Sequence, residues 1–209
     1  IDAINNAAQI GFKNISLDLI YATLGDTKKL LFNDLQKAFN LPINHLSAYA
    51  LTIEQNTPFE QKPKMANENL KLTKEFFEQI KSHNFTQYEI SNFGTYKSKH
   101  NLGYWQYKDY IGLGAGAVGK LDNKRFYPTT TIEEYISNPL NIDEEYLKKD
   151  DIKIEKLFLG FRSCVGVSSQ LLNKEELSKA MILKDEKKLK LENGVFYNTE
   201  YLLADEITM

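Results

Sequence analysis

The first hundred residues alternate between amphipathic stretches with helical spacing and short, almost wholly apolar runs. Apolar residues at intervals of three and four indicate helices, whereas short apolar runs bounded by turn residues indicate buried strands. The pattern predicts helices at 2–10, from Asp26 or Thr27 to just before Pro42, and at 65–82, and strands at 14–22, 43–53 and 86–93. This α/β alternation is typical of parallel βαβ units. Three strands do not close a barrel, so we expect strand 14–22 to have an open edge.

The second half of the chain has shorter elements and a polar interruption. The pattern predicts a hairpin at 121–128 turning at Asp122-Asn123, a helix at 131–137, a linker at 138–151, helices at 151–164, 174–181 and 184–190, and a strand pair at 191–198 around Asn193-Gly194. We therefore expect two domains, of residues 1–140 and 150–209. The second would be a small helical unit with a β-wing.

Composition excludes several classes of protein. The 209 residues are 42% hydrophobic with a net charge of −2, so a core can form and no global basic field favours nucleic acid. The single cysteine, Cys164, excludes a disulfide framework and suits a reducing compartment. No apolar run approaches the roughly 20 residues of a membrane span, and we expect a cytoplasmic protein. The chain starts at Ile1 without methionine, so we expect a piece of a longer protein.

The run from Thr86 to Lys120 is the richest in candidate chemistry. It contains the chain's one tryptophan, Trp105, and one of its three histidines, His100. Around them stand several tyrosines and glycines: Tyr96, Tyr104, Tyr107, Tyr110, Gly112, Gly114, Gly116 and Gly119. Histidine is a common ligand of haem iron, and aromatic rings suit the face of a porphyrin. The pattern favours a flat, apolar, metal-bearing ligand near His100, although the same rings could equally form an apolar cluster.

Other polar residues stand in the predicted strands and loops without a decisive pattern. Asp18 interrupts a predicted strand, where it either bonds a neighbouring group or faces a ligand. Glu89 ends the third predicted strand, where a binding carboxylate can stand. His45 and His83 are not surrounded by aromatic residues as His100 is, and we assign them no functional role. GAGAVG, residues 114–119, matches a dinucleotide-binding motif, but no helix follows it, so we favour a close-packed glycine strand.

Several segments, taken in order, resemble one known family. They are DLIYATLGDT (18–27), HLSAYALTIEQNTPF (45–59), YEISNFG (88–94), HNLGYW (100–105), YIGLGAGAVG (110–119) and EKLFLGFRSCVGV (155–167). The chain resembles the radical S-adenosylmethionine proteins of the oxygen-independent coproporphyrinogen III oxidase type, and most of all their HemW branch of haem chaperones. The resemblance covers nearly all of the chain.

The resemblance implies the C-terminal half of a partial TIM-type (β/α)6 barrel, followed by a winged-helix-like C-terminal domain. In this family a CxxxCxxC motif holds a 4Fe–4S cluster, on which S-adenosylmethionine binds. That motif is absent from these 209 residues, in which Cys164 stands alone. Because such a cluster needs three thiolates, we expect no cluster and no radical chemistry from this chain by itself. We expect a full-length parent to carry the motif upstream.

The resemblance also implies roles for individual residues. Asp18 matches the aspartate that contacts S-adenosylmethionine, and we expect it at the C-terminal end of its strand, facing the barrel interior. His100 matches the haem-ligating histidine of the HNxxYW motif, which Asn101, Tyr104 and Trp105 complete. We expect Asn101 to orient the imidazole and the polar run 94–103 to be a mobile loop. The chain departs from the usual DLIYGLPGQT and GAGAHG, so a second haem-ligating histidine in the glycine run is absent.

Three functions stay open at this point. The first is a chaperone that binds haem, or a related porphyrin, and transfers it to recipient haemoproteins; the HNLGYW segment favours it. The second is the oxidation of coproporphyrinogen III to protoporphyrinogen IX by a full-length radical S-adenosylmethionine enzyme. The third is a partner-binding module without a ligand of its own. In each case the open sheet edge is expected to favour self-association.

Overall fold

The chain divides into two compact units in a computed structural model, which describes residues 1–208. The first unit covers Ile1–Lys97, and the second begins at Ser98. None of the helices within residues 1–208 has the length and hydropathy of a transmembrane span. This division differs from the predicted boundary at 140–150, because the intervening segment contains a strand that pairs inside the second unit. The assignment of residues 1–140 and 150–209 to separate domains stays a prediction.

The first unit is a four-stranded sheet with three helices. Its elements are α1 (Asp2–Ile10), β1 (Ser16–Tyr21), α2 (Lys28–Phe39), β2 (His45–Ala50), α3 (Leu70–Ser82), β3 (Thr86–Gln87) and β4 (Asn92–Gly94). The strand order is β1-β2-β4-β3. The pairing of β1 with β2 is parallel, as predicted, and β1 lies at the edge of the sheet, also as predicted.

The predicted third parallel strand is wrong. The chain reverses between Gln87 and Asn92, so residues 86–93 contribute to two short antiparallel strands, and β4 also runs antiparallel to β2. The reversal contains a buried carboxylate, because Glu89 is 0% exposed and accepts a hydrogen bond from the backbone N–H of Ser91 at 3.1 Å. Residues 88–91 contain neither glycine nor proline, so the segment lacks the strongest sequence signals of a turn.

Local sequence explains the helix ends and the core of the first unit. Gly11 ends α1 in the left-handed conformation, with φ 104°. The hydroxyl of Thr27 accepts a hydrogen bond from the backbone N–H of Leu30 and so begins α2. One face of the sheet packs on α3, where the ring of Phe93 lies 4.9 Å from that of Phe77. The opposite face carries mainly polar side chains.

The second unit contains two small sheets and five helices among the described residues. Its elements are α4 (Lys99–Trp105), β5 (Gly119–Leu121), β6 (Lys124–Pro128), α5 (Ile132–Ser137), β7 (Ile142–Tyr146), α6 (Lys149–Phe161), β8 (Val167–Ser168), α7 (Lys174–Asp185), β9 (Leu189–Glu192), β10 (Val195–Asn198) and α8 (Ala204–Thr208). The sheet orders are β5-β6-β7 and β8-β10-β9. The second sheet shares a core with α6 and α7, formed by Phe161, Val167, Ala180, Leu189 and Phe196.

The structure confirms both predicted hairpins of the second unit and corrects two other predictions. The hairpin turns lie at Asp122-Asn123 and Asn193-Gly194. The predicted linker at 138–151 is wrong, because it contains β7, which pairs antiparallel with β6. All five residues of β7 are exposed, so the strand has no apolar alternation to reveal it. The two helices predicted at 174–181 and 184–190 are one helix, α7, followed by β9.

Candidate functional site

The HNxxYW residues form a short helix. The hydroxyl of Ser98 accepts a hydrogen bond from the backbone N–H of Asn101 at 3.3 Å, which caps the N-terminus of α4. The helix runs from Lys99 to Trp105, so the prediction of a loop at 94–103 is wrong from Lys99 onward. A serine cap is worth about 1 kcal/mol, which helps to order a segment with little to bury.

His100 lies in the first turn of this helix with an exposed side chain. Its ring lies 5.0 Å from that of Tyr104, at an interplanar angle of 89°, and the ring of Tyr104 lies 4.8 Å from that of Tyr110. Within residues 1–208, neither imidazole nitrogen has a hydrogen-bond partner. An exposed imidazole with open nitrogens, beside aromatic rings, fits the requirements of an axial haem ligand.

The remaining residues of the predicted aromatic group are dispersed. Trp105 is half-buried and makes no ring-to-ring contact within the described part of the chain. Tyr96 belongs to the first unit, where its ring lies 5.3 Å from that of His45. In the same described range, Asn101 forms no side-chain hydrogen bond with His100, so the expected orienting acceptor is not in place. His100 and Tyr104 are therefore the pair that α4 brings together.

Asp18 lies in the middle of β1, in register with Ser47 of β2. It is the third of six strand residues, so the predicted position at the C-terminal end of the strand is wrong. Side chains alternate along a strand, and Asp18 is exposed on the face opposite to that of Tyr21, whose ring packs 5.4 Å from Phe76 of α3. The carboxylate thus faces away from the helices, in the direction that the barrel interior would require.

A buried histidine on the same face was missed by the sequence reasoning. His45 is 2% exposed, its Nδ1 lies 2.7 Å from the hydroxyl of Ser16, and its Nε2 lies 2.8 Å from the hydroxyl of Tyr88. Each hydroxyl can donate or accept, so a neutral imidazole is satisfied at both nitrogens. Burial lowers the pKa of His45, and the charge of Asp18 offsets part of that effect. In the sequence, the one signal of this polar face was the spacing of His45 and Ser47, which are two residues apart on β2 and so lie on the same face.

Acidification is expected to destabilise the first unit through His45. Its pKa is about 6.5 when unfolded and lower when folded, so its contribution to stability is complete above about pH 6.5 and is lost as the pH falls through the folded pKa. After correction for intrinsic rates, we expect hydrogen exchange of residues 45–50 to become faster as the pH falls from 7.5 to 5. This increase should be larger in the wild type than in the His45→Gln variant. His83→Gln is the control and should keep the wild-type pH dependence. Equal pH dependence of wild type and His45→Gln would contradict the assignment.

Two further polar groups lie at the turn before β4. Burial raises the pKa of the Glu89 carboxyl, and hydrogen bonds from Ser91 and Asn92 oppose this rise. The Asn92 side-chain oxygen is buried without a hydrogen-bond partner among residues 1–208. Asn92 of β4 is in register with Ser47 of β2, which is in turn in register with Asp18 of β1. An unsatisfied acceptor in a row of polar side chains fits a ligand that carries amino or hydroxyl groups.

The glycine run forms a compact loop, and the predicted close-packed strand is wrong. A Cβ on Gly112 would lie 2.0 Å from the carbonyl oxygen of Ala117, so the backbone folds tightly back on itself. Gly114 and Gly116 both have positive φ, of 120° and 69°. The glycines are therefore required by the reversal, since side chains are disfavoured at such angles. No helix follows the run, in agreement with the rejection of a dinucleotide site.

An iron–sulfur cluster does not fit the residues of this chain. Cys164 is the one cysteine and lies after α6 in the second unit. In residues 1–208, no group of three histidine, cysteine, aspartate or glutamate side chains is arranged to hold a metal ion. The candidate ligand sites are therefore His100 with Tyr104 in the second unit and the polar sheet face with Asp18 in the first.

No family model matches the chain, but comparison with curated proteins finds relatives of similar sequence. The chain is 32% identical over 178 residues to the haem chaperone HemW of Lactococcus lactis subsp. lactis (strain IL1403), an alignment that covers 79% of this chain and 47% of that protein. It is 33% identical over 215 aligned positions to the haem chaperone HemW of Bacillus subtilis (strain 168), covering 93% and 55%. The chain belongs to the HemW-like family. This HemW-like chain spans about half the length of the curated relatives that it matches.

A solved structure confirms the predicted fold class. The coproporphyrinogen III oxidase HemN from Escherichia coli, described as a radical SAM enzyme, superposes with a TM-score of 0.76 over 100% of this chain and 57% of that one. The sequence identity is 14%, so this likeness concerns the fold alone. The chain thus has the fold of the C-terminal part of a radical SAM barrel and its C-terminal domain.

Proposed function

We propose that this HemW-like chain is the haem-binding part of a haem chaperone and that His100 is the axial ligand of the iron. The observation that carries the proposal is the exposed imidazole of His100, perpendicular to the ring of Tyr104, in the segment HNLGYW. The chaperone names of relatives about one-third identical support it. The single cysteine supports a reducing, cytoplasmic compartment.

We further propose that Asp18 contacts S-adenosylmethionine in a protein of the relatives' full length. Its exposed carboxylate lies beside Ser47 and faces away from the helices, where it can accept hydrogen bonds from a ribose hydroxyl or an amino group. The 4Fe–4S cluster that holds this cofactor in the family would need cysteines from outside these 209 residues. The isolated chain is therefore expected to bind haem without carrying the cluster.

Haem titration of the purified chain tests the proposal. We expect a saturable change of the Soret band at one haem per chain, because one exposed imidazole is available in the HNLGYW segment. A chain that acts only as a partner-binding module would give no saturable change. Albumin-free buffer and a detergent-dispersed haem stock keep aggregation of haem from imitating binding.

Two assays separate a chaperone from an oxidase, the second open function. The full-length protein is expected to transfer bound haem to an apo-haemoprotein and to leave the growth of a strain lacking coproporphyrinogen III oxidase unrestored. The likeness to the E. coli oxidase concerns the fold alone, so it gives the oxidase function no residue-level support. Restored growth of that strain, without haem transfer, would favour the oxidase.

Self-association through β1 is a further proposal about the isolated chain. β1 is an edge strand, so one side of its backbone offers unpaired hydrogen-bonding groups. Ile20 on this strand is 63% exposed and Tyr49 on β2 is 43% exposed, which adds apolar surface nearby. We expect dimers or larger species whose population rises with concentration in size-exclusion chromatography with light scattering. A monodisperse monomer at every concentration would contradict this expectation.

A further inference from the structure

The strand β7 forms one edge of a three-stranded sheet in the second unit. The sheet order is β5-β6-β7, and all five residues of β7 are exposed. An edge strand offers unpaired backbone N–H and C=O groups to another chain, and proteins commonly block such edges with proline or lysine. The sequence of β7, IDEEY, contains neither residue, so its backbone is open to pairing.

The alternation of hydrogen bonds shows which residues of β7 bond outward. Just beyond the strand, the backbone N–H of Leu147 donates to the carbonyl oxygen of Asn123 at 2.8 Å. Hydrogen-bonded pairs alternate along an antiparallel ladder, so Asp143 and Glu145 bond to β6 in the same way. The backbone groups that point away from β6 therefore belong to the three alternate residues Ile142, Glu144 and Tyr146.

These three outward-bonding residues also share one face of the strand, which is largely apolar. The Glu144 carboxylate on this face is neutralised by the Lys124 ammonium at 2.9 Å, which lies 4.6 Å from the ring centre of Tyr146. Ile142 borders a cavity of about 220 Å³ between the sheet, the glycine loop and α5. The cavity is smaller than most small-molecule sites, which begin at roughly 300 Å³, so it suits a side chain of a docked segment.

The opposite face of β7 is acidic. Asp143 forms no ion pair within residues 1–208, and the nearest cation to Glu145 is Arg125 at 3.9 Å. The same guanidinium donates to both carboxylate oxygens of Glu155, at 2.8 and 2.9 Å, so its charge is largely committed elsewhere. This face therefore keeps negative charge that no closely bonded cation neutralises.

A second copy of the chain is a poor occupant of this edge. In a symmetric antiparallel pairing centred on Glu144, that residue would face its own copy, and Asp143 would face Glu145 of the other copy. Like charges directly opposite each other on neighbouring strands are destabilising. The edge thus favours a strand that carries the opposite charge.

We propose that β7 is the docking edge for an extended segment of a partner protein in which basic and apolar residues alternate. The segment adds a fourth strand to the sheet, and its backbone bonds to the three outward-bonding residues. Its lysine or arginine side chains face Asp143 and Glu145, and its apolar side chains face the row that borders the cavity. His100 takes no part in this edge, so the proposal does not depend on haem binding.

Fluorescence anisotropy of three labelled peptides, measured with the purified chain, tests the proposal. The peptide KVKVKVK is expected to bind saturably at one site per chain, and more weakly as the salt concentration rises. KVKPKVK has the same charge, but its proline removes a central N–H and disfavours a strand, so it should bind about tenfold more weakly. EVEVEVE should not bind. Absence of saturable binding by KVKVKVK, or equal binding by KVKPKVK, would overturn the proposal.

Two substitutions at Glu144 show whether the peptide pairs with β7. Glu144→Pro removes an outward N–H that β6 does not use, and proline is tolerated at such positions of an edge strand. The sheet should therefore persist, as circular dichroism would show, while binding of KVKVKVK is lost. Glu144→Gln removes the same charge but keeps the N–H, and should weaken binding by less than about fivefold, as expected for an exposed charge.

A matched pair of charge reversals tests the acidic face without altering the backbone. Asp143→Lys should weaken binding of KVKVKVK about tenfold, because an attractive cross-strand pair becomes repulsive. Glu54→Lys makes the same change of charge at an exposed loop position of the first unit and should leave affinity unchanged. Equal effects of the two reversals, or normal binding by Glu144→Pro, would place the peptide elsewhere and contradict the proposal.

Discussion

The His100→Ala variant is expected to bind haem on the order of 100-fold more weakly than the wild-type chain. Loss of groups that merely orient a metal ligand commonly costs 10- to 100-fold in affinity, and loss of the ligand itself should reach at least the upper end of that range. Because His100 is exposed and its one described ring contact is with Tyr104, the substitution should leave the fold intact. Soret titrations of both proteins, with far-ultraviolet circular dichroism as the check on folding, measure the effect.

His83→Ala is the matched control for this substitution. His83 lies in the first unit, stacked on Phe39 at a ring distance of 4.0 Å, and has no part in the proposed site. Haem affinity should be unchanged in this variant. An unchanged titration for His100→Ala, or an equal loss in both variants, would remove His100 from the site and leave the aromatic residues alone.

The Phe93→Ala variant is expected to lower the free energy of unfolding of the first unit by about 3–5 kcal/mol, as is typical of large buried aromatic residues. Phe93 is 0% exposed on β4 and packs on Phe77 of α3. The truncation would leave a cavity where the short antiparallel strand meets the helix layer. Hydrogen exchange of residues 45–50 in increasing urea reports the stability of this unit separately from that of the second.

Phe59→Ala removes the same side chain from a loop position and serves as the control. Phe59 is 51% exposed, so its loss should change the stability of the first unit by less than about 0.5 kcal/mol. Similar effects of the two substitutions would mean that β4 does not pack on α3 as described. A small effect of Phe93→Ala alone would lead to the same conclusion.

The parts of the fold that sequence predicts well are those with a strong local signal. β1 and β2 lie in largely apolar segments between turn residues, α1 ends at a glycine, and both hairpins turn at residues with known turn preferences. β7 lacks such a signal, because every residue in it is exposed and it is held by pairing with β6 and by ion pairs such as Lys124–Glu144 at 2.9 Å. β7 forms only by pairing with β6, and the pattern of residues within 142–146 contains no information about that partner strand.

The same distinction applies to the candidate site. His100 and Tyr104 are one helical turn apart, so their contact follows from local sequence once α4 is known. The partners of His45 are distant in the chain, 29 residues away at Ser16 and 43 residues away at Tyr88. No spacing rule joins them: the parallel register of β1 and β2 brings Ser16 to His45, and the turn between β3 and β4 supplies Tyr88. The turn at Glu89 was hidden for a similar reason, since its carboxylate accepts hydrogen bonds inside the fold.

Chemical rescue by imidazole tests most directly whether residue 100 holds the haem iron. The His100→Gly variant, mixed with one equivalent of ferric haem, should lack the absorption spectrum of the wild-type complex, and millimolar imidazole should restore it by supplying the missing nitrogen. The His83→Gly variant should show the wild-type spectrum without imidazole. A wild-type spectrum for His100→Gly before imidazole is added would contradict ligation by His100.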